Sequence, residues 1–446
     1  FINGRRFIGF GGNWGFGESN LNYREREYDI AVAYHADMNF TMIRNWVGQI
    51  GDKEFYEACD RHGIMVWQDF WLANPVDGPN PYYTEMFNAN ACDYLKRIRN
   101  HPSIGIYVGR NEGNPPAGID DYLRGLVFRE HPGLYYISNS AMGVVSGGGP
   151  YRALSPKSYF QSYGHDKFHS ERGMPNVMNY ESMLLTFGTD KIEPVNTSET
   201  PNPVYGLHDY TLGGGKGSSA QAASSFNDMI EKAFGRPRDA KQFAEWAQWI
   251  NYDGYRAIFE GRSEHRRGML LWMSHSAWPS MVWQTYDYYF DPNAAYFGCK
   301  KASEPLHIQW NPLRDDIEVV NYHAFDRTGL TATASLFNQD GTLQWTRETK
   351  LDIKEDQTVA CFPLEQPETL SDTYFIKLSL TDSDGKQLSD NFYWRGKEDG
   401  NYKSLLQLPK VSVCKNVTVK KTGKEWLIRA VLKNEARTPA LMLRLK

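Results

Sequence analysis

Eight short apolar runs alternate with amphipathic helical stretches across the first ~310 residues, and most of the runs end in polar or aromatic side chains. The runs are Phe7–Gly12, Phe40–Trp46, Ile64–Phe70, Ser103–Glu112, Leu134–Ser138, Lys157–Phe160, Lys167–Glu171 and Met269–Met273, with Lys157–Phe160 the weakest. Between them fall helices: Glu25–Met38, a helix capped by Asp52 and closed by Gly63, Asn88–Arg99, Asp120–Arg129 and Asp239–Phe259. Strands buried on both faces read as near-continuous apolar runs, and strand–helix alternation gives a parallel sheet. Eight repeats therefore predict an α/β fold, a closed (β/α)8 TIM barrel, whose chemistry gathers at the C-terminal strand ends. Those ends carry Asn13, Arg44, Trp67, Asp69, Asn111, Glu112 and Glu171, with Trp278 on the loop after the last strand.

After Asp291 the period shortens to two. Asp316–Ala324, Leu330–Phe337, Gln344–Leu351, Val359–Phe362, Thr373–Leu380 and Asn391–Tyr393 alternate, with Asp340-Gly341 and Asp384-Gly385 as hairpin turns. This predicts a catalytic barrel over 1–312 and an immunoglobulin-like β-sandwich over 313–396. Residues 397–446 are expected to be a linker and the start of a further β domain. The chain opens directly on a hairpin turning at Asn3-Gly4, without an initiator Met or signal peptide, and is expected to be part of a longer polypeptide.

Lysine and arginine number 49 against 53 acidic residues, with no basic stripe, which argues against a nucleic-acid partner. No run approaches roughly 18 uninterrupted apolar residues, so no membrane partner is expected. Cys59, Cys92, Cys299, Cys361 and Cys414 are scattered without a CxxC pair, and the histidines form no HExxH cluster; neither a metal nor another cofactor is expected. The glycine-rich stretches Gly9–Gly15 and Gly213–Ser219 miss the dinucleotide and P-loop orders, and the segment 190–220 reads as a long barrel loop.

Two glutamates stand out at strand ends, Glu112 and Glu171. Each could cap the helix that follows it. Two carboxylates on one barrel mouth are also what glycoside hydrolysis needs, one as protonated acid beside the leaving oxygen and one ionised on the far side of the anomeric carbon.

Asn111-Glu112 at strand four, Ser170-Glu-Arg-Gly173 at strand seven and Ala277-Trp-Pro-Ser-Met-Val-Trp-Gln-Thr-Tyr-Asp-Tyr288 after strand eight together resemble glycoside hydrolase family 2, over nearly all of residues 1–395. Trp67-Gln-Asp-Phe70, Trp278-Pro-Ser280 and Lys300-Lys-Ala-Ser-Glu-Pro305 are similar to its β-mannosidase and exo-β-glucosaminidase branch, and Gly149-Pro150-Tyr151 to the exo-glucosaminidases in particular. The resemblance implies a retaining β-glycosidase acting on an oligosaccharide or glycoside, with Glu112 as acid/base and Glu171 as nucleophile, roughly 5–5.5 Å apart. It implies that Asn111 reads the sugar 2-substituent and that Arg44 steadies the nucleophile. It also implies a sugar-binding domain and a sandwich domain before the barrel in the full-length chain. Amino-sugar enzymes of the branch tend to replace Asn-Glu by Ser-Asp; Asn111-Glu112 therefore favours a neutral sugar, β-mannoside foremost. Exo-β-glucosaminidase is the alternative, and a non-catalytic carbohydrate-binding barrel is the alternative of another class, disfavoured because both carboxylates are present.

Around this pair, Arg110 is expected to point into the structure, leaving the acid free to stay protonated. Trp14, Trp46, Trp67 and Trp278 each read as packing before sugar platform, with Trp278 the foremost platform candidate. Asp69 is expected to bind a hydroxyl or to hold a strand-end amide. Tyr159 and Tyr163 compete for the hydrogen bond to the nucleophile, and Asn13 is a further candidate for substrate contact. A periplasmic or secreted location is expected over a cytoplasmic one.

Overall fold

Parallel strands with apolar side chains on both faces need cover on both sides, and the chain supplies it by curling one sheet around its own interior and laying helices outside. The structure, a computed structural model, describes residues 1–161, 164–197, 200, 202–208, 220–322, 325–423 and 425–445, without the side chains of 220–224. Among them, eight strands make one all-parallel sheet: β1 (Phe10–Trp14), β2 (Met42–Asn45), β3 (Met65–Asp69), β4 (Ile104–Arg110), β5 (Tyr135–Asn139), β6 (Val145–Ser146), β7 (Phe168–Arg172) and β8 (Met269–Leu271). Their order is β5-β4-β3-β2-β1-β8-β7-β6. Ile137 of β5 and Val145 of β6, at opposite edges of that order, meet Met42, Trp67, Val108 and Leu270 in one interior cluster. The two edges therefore face each other, the barrel closure predicted from the repeats, although no backbone ladder joins β5 to β6 among the described residues.

The helices are α1 (Glu25–Asp37), α2 (Lys53–His62), α3 (Thr84–Ile98), α4 (Ala117–Glu130), α5 (Pro156–Gln161), α6 (Tyr180–Phe187), α7 (Pro203–His208), α8 (Ala220–Phe234), α9 (Ala240–Glu260) and α10 (Ala294–Ala302). Gly63, at φ 70°, ends α2 in the left-handed conformation that glycine adopts freely. Asp52 stands at the N-cap of α2, but its carboxylate accepts from the Tyr28 hydroxyl at 2.5 Å rather than from a helix amide. Asp239 does cap α9, accepting from the Gln242 amide at 2.8 Å.

One predicted strand is a helix. Lys157–Phe160 lies in α5, where Pro156 takes the first helical position and the Ser155 and Ser158 hydroxyls meet at 3.0 Å. The sixth strand is instead Val145–Ser146, two residues set between glycines and too short to carry a period. Gly213–Ser219 lies outside the described residues; the rest of the expected loop includes α7 and the start of α8.

Leu306–Asn311, inside the range expected for the barrel, is instead β9 of the sandwich and pairs antiparallel with β10 (Asp316–Asn321), Ile308 opposite Val319. With β13 (Gln357–Pro363) these form one sheet of the sandwich; β11 (Arg327–Asn338), β12 (Leu343–Ile353), β14 (Thr373–Thr381) and β15 (Gln387–Gly396) form the other. Leu330, Ala332, Ala334 and Leu336, alternate residues of β11, face Ile308, Trp310, Ile317 and Val319 across the core. Beyond it, β16 (Val413–Thr422) and β17 (Glu425–Asn434) pair as a hairpin.

The barrel is fixed to the sandwich by buried polar groups of α9. Arg256 donates to Asn391 Oδ1 at 2.8 Å and Asp253 Oδ1 at 2.7 Å, and Asp253 in turn pairs with Arg395 at 3.0 Å. Glu260 Oε1 accepts from Asn391 Nδ2 and the Tyr393 hydroxyl at 2.8 and 2.9 Å, and lies 3.0 Å from His307 Nε2. Burial alone would push His307 down, but its hydrogen bonds to Glu260 and Glu304 outweigh burial and hold its pKa above 6.5. A raised histidine contributes stability below its unfolded pKa, and that contribution is lost as pH rises through the folded value. Melting temperature is thus expected to fall as pH is raised from about 6 to about 9, and to fall less in His307→Gln. Parallel pH dependences in the two proteins would contradict this role for His307.

Candidate active site

On β2 and β3 the strand period of two stacks the site on the barrel interior. Met42 and Trp67 fill the interior cluster, and two residues further along the same strands Arg44 and Asp69 stand one layer nearer the mouth. The Arg44 guanidinium lies over the Trp67 ring, 5.5 Å from its centroid. It donates through Nε and Nη2 to Asp69 Oδ2 at 3.0 and 2.7 Å, through Nη1 to Glu171 Oε1 at 2.6 Å, and through Nη2 to Asn111 Oδ1 at 2.8 Å. Arg44, Asp69, Asn111 and Glu171 are all buried.

The second oxygen of Glu171 accepts from the Tyr151 hydroxyl at 2.7 Å. Tyr151 arrives on a loop whose Gly148 and Gly149 adopt φ 76° and 82°, and which is laced to β7 by Gly149 N–H donating to the Glu171 carbonyl at 3.1 Å. The Trp283 and Trp272 rings flank Tyr151, with centroids 5.6 and 6.3 Å away, and Trp46 packs edge-on against Trp272 at 5.0 Å. Burial pushes the Glu171 carboxyl up to about 7; Arg44 opposes this, the neighbouring Glu112 charge adds to it, and the Tyr151 hydrogen bond opposes it again. Burial is the largest cause, and Arg44, which opposes it, is also paired with Asp69. Burial and the two glutamates hold the Tyr151 hydroxyl well above 10, so it remains a donor.

Glu112 follows β4 in the left-handed region, φ 46°, uncommon for a residue with a side chain. Its amide donates to Ser140 Oγ at 3.0 Å, while its half-buried carboxylate receives no hydrogen bond among the described residues. Gly148 lies against that carboxylate: a Cβ there would sit 3.6 Å from Glu112 Oε1. One loop thus touches both carboxylates, Gly148 at Glu112 and Tyr151 at Glu171.

Arg44, Asn111, Glu112 and Glu171 therefore converge, and Arg110 turns away to Ala73 O and Asn80 Oδ1, both at 2.7 Å. Asp69 converges too, but as a brace: its oxygens are closed by Arg44, the Trp67 indole N–H at 2.7 Å and the Val47 amide at 3.0 Å, and no surface is left for a sugar. Trp67 is interior packing against Phe168. Trp14 is buried against His275, with ring centroids 4.2 Å apart. Asn13 spends its amide N–H groups on Ser170 O and Leu271 O, stitching β7 to β8, and has no exposed surface for substrate. Trp278 is half-buried and stacked on His208, with centroids 6.1 Å apart. Tyr159 does not reach Glu171; it is buried in α5, and its hydroxyl accepts from the Leu154 amide at 3.3 Å. Tyr163 lies outside the described residues. The tyrosine at Glu171 is Tyr151, whose signal in the sequence was the Gly-Gly-Gly-Pro turn that precedes it. Ser140 carried no signal at all.

The chain is 29% identical to a mannosylglycoprotein endo-β-mannosidase of Lilium longiflorum, over 91% of this chain and 48% of that protein. It is 28% identical to an exo-β-D-glucosaminidase of Streptomyces avermitilis, over 88% of this chain and 46% of that protein. The chain thus spans about half the length of the curated relatives it matches. The solved exo-chitosanase of Amycolatopsis orientalis superposes with a TM-score of 0.84 at 23% identity, covering 98% of this chain and 56% of that one, which shows the fold. No family model matches the chain. These relatives bear out the resemblance to the β-mannosidase and exo-β-glucosaminidase branch of glycoside hydrolase family 2.

A carboxyl with a raised folded pKa favours the native state while it is protonated and loses that contribution as pH rises from its unfolded value through about 7. Glu171→Gln keeps the shape and removes the charge. Its melting temperature is expected to match the parent's near pH 4 and to exceed it increasingly up to pH 8, by on the order of 3 kcal/mol in stability. A difference that does not change with pH would contradict the strained ionisation.

Proposed function

We propose that the protein is a retaining β-glycosidase whose leading substrate is a β-mannoside. Glu171 carboxylate attacks the anomeric carbon as the bond to the leaving oxygen breaks, and Glu112 gives that oxygen its proton. Glu112, now ionised, takes a proton from water; the water oxygen attacks the anomeric carbon and releases Glu171 as carboxylate. Support for the division of roles comes from the two environments. The Glu171 oxygens are aimed and held by Arg44 and Tyr151, as a nucleophile's should be, whereas the half-buried Glu112 carboxylate accepts no hydrogen bond among the described residues and is left open to a leaving group or a water.

The choice of sugar rests on Asn111. Its oxygen accepts from Arg44 Nη2 at 2.8 Å and from the Ser140 hydroxyl at 3.2 Å, which fills both lone pairs. The amide cannot be flipped, because Arg44 has only donors to offer it. What remains for a ligand is N–H. A 2-hydroxyl accepts from it; a 2-ammonium has nothing to accept with, and the Asp69 carboxylate is already closed. The competing reading, an exo-β-glucosaminidase, is favoured by the Streptomyces relative's name and by the Gly149-Pro150-Tyr151 turn. Sugar-binding and sandwich domains ahead of the barrel belong to the same proposal.

In the full-length protein, kcat/KM is expected to be at least about tenfold higher on p-nitrophenyl β-D-mannoside than on the β-D-glucosaminide, and Asn111→Ala is expected to erase the difference. A preference for the amino sugar would overturn the assignment of substrate. No turnover of any β-glycoside would overturn the reaction class.

A further inference from the structure

Among the described residues the barrel ladder is open between β5 and β6, and that seam lies between the two glutamates. Ser140, the residue after β5, has no exposed surface and bonds in three directions there. Its hydroxyl accepts from the Glu112 amide at 3.0 Å and donates its single proton to Asn111 Oδ1 at 3.2 Å. Its amide donates to the Arg110 carbonyl at 3.1 Å, which carries the β4–β5 register one step past the strand end. Its carbonyl accepts from the Ser170 hydroxyl at 2.7 Å, and Ser170 is the residue before Glu171. The Ser170 hydroxyl also lies 3.2 Å from the Ser146 carbonyl, so β5, β6 and β7 are joined through side chains where no ladder joins β5 to β6.

We propose that Ser140 is a positioning residue that sets Asn111 and Glu112 relative to Glu171; the inference rests on the glycosidase reading above. Its hydroxyl stabilises a Glu112 backbone that would otherwise be strained at φ 46°, because the amide it accepts from is otherwise left without a partner. The same hydroxyl holds the Asn111 oxygen inward, and so keeps Asn111 N–H available to a 2-hydroxyl. One group thus serves both the proton donor and the reader of C2. The Ser140–Ser170 link acts on neither directly, but ties their strand to the nucleophile's.

These two functions of Ser140 separate experimentally. In Ser140→Ala, kcat/KM on an aryl β-mannoside is expected to fall about 30-fold, and on the 2-deoxy analogue only about threefold, because the analogue has no 2-hydroxyl for Asn111 to address. Ser170→Ala, which loses the links to the Ser140 and Ser146 carbonyls but touches neither Asn111 nor the Glu112 amide, is expected to lower both substrates by the same factor. Ser140→Cys, with a weak donor and acceptor in the same space, is expected to fall between parent and alanine variant, and decides the matter if the alanine variant does not fold. Equal losses on the two substrates in the Ser140 variants, with an active parent, would overturn the role of Ser140 alone. A parent that turns over neither substrate would overturn this inference together with the glycosidase reading.

Discussion

Everything at the barrel mouth hangs from one buried guanidinium. Arg44 has five N–H donors in a fixed plane, and four of its hydrogen bonds are spent on three side chains from three other strands or strand ends: Asp69, Asn111 and Glu171. An arginine with no exposed surface is tolerable only if it is paired, and Asp69 supplies the pairing with both oxygens closed to anything else. Glu171 takes what is left. Arg44 opposes burial at Glu171 without overcoming it, so the Glu171 carboxyl is held up to about 7.

The same sharing fixes what the site can recognise. Because Arg44 offers only donors, the Asn111 oxygen must face it, and the amide N–H groups are what a ligand meets. The side of the site away from Arg44 is built differently, from irregular backbone. The loop carrying Gly148, Gly149 and Tyr151 takes conformations open to glycine, reaches both carboxylates, and brings an aromatic wall of Trp272 and Trp283 with it. A regular strand could not present a backbone edge to Glu112 and a phenol to Glu171 within four residues.

What could be read from the sequence follows the same division. Arg44 and Asp69 sit on strands whose period of two announces which way they face, and Asn111, Glu112 and Glu171 lie at strand ends on the same barrel mouth, so their convergence was legible. That Asp69 is a brace was not, because its closure depends on an indole two residues back and an amide from the next loop. Trp67 reads as packing before platform, and its register with Met42 and Val108 places it in the interior cluster. Tyr151 was hidden because its place depends on the turn before it and on packing against Trp283, far along the chain. Tyr159, in a stretch that reads as a strand, proved to belong to a helix started by Pro156. Two-residue β6 and the Ser140–Ser170 link leave no pattern, since both exist only through contacts between distant segments.

The central claim is that the carboxylate clamped by Arg44 and Tyr151 is the one that becomes covalently bound to sugar. Treating the full-length protein with 2-deoxy-2-fluoro-β-D-mannosyl fluoride slows both steps while the fluoride leaving group lets the first proceed, so a glycosyl-enzyme should accumulate. Peptide mapping by mass spectrometry is predicted to place the sugar on Glu171, on the segment that runs from Phe168 to Arg172. Label on Glu112, or on any residue outside the site, would contradict the account.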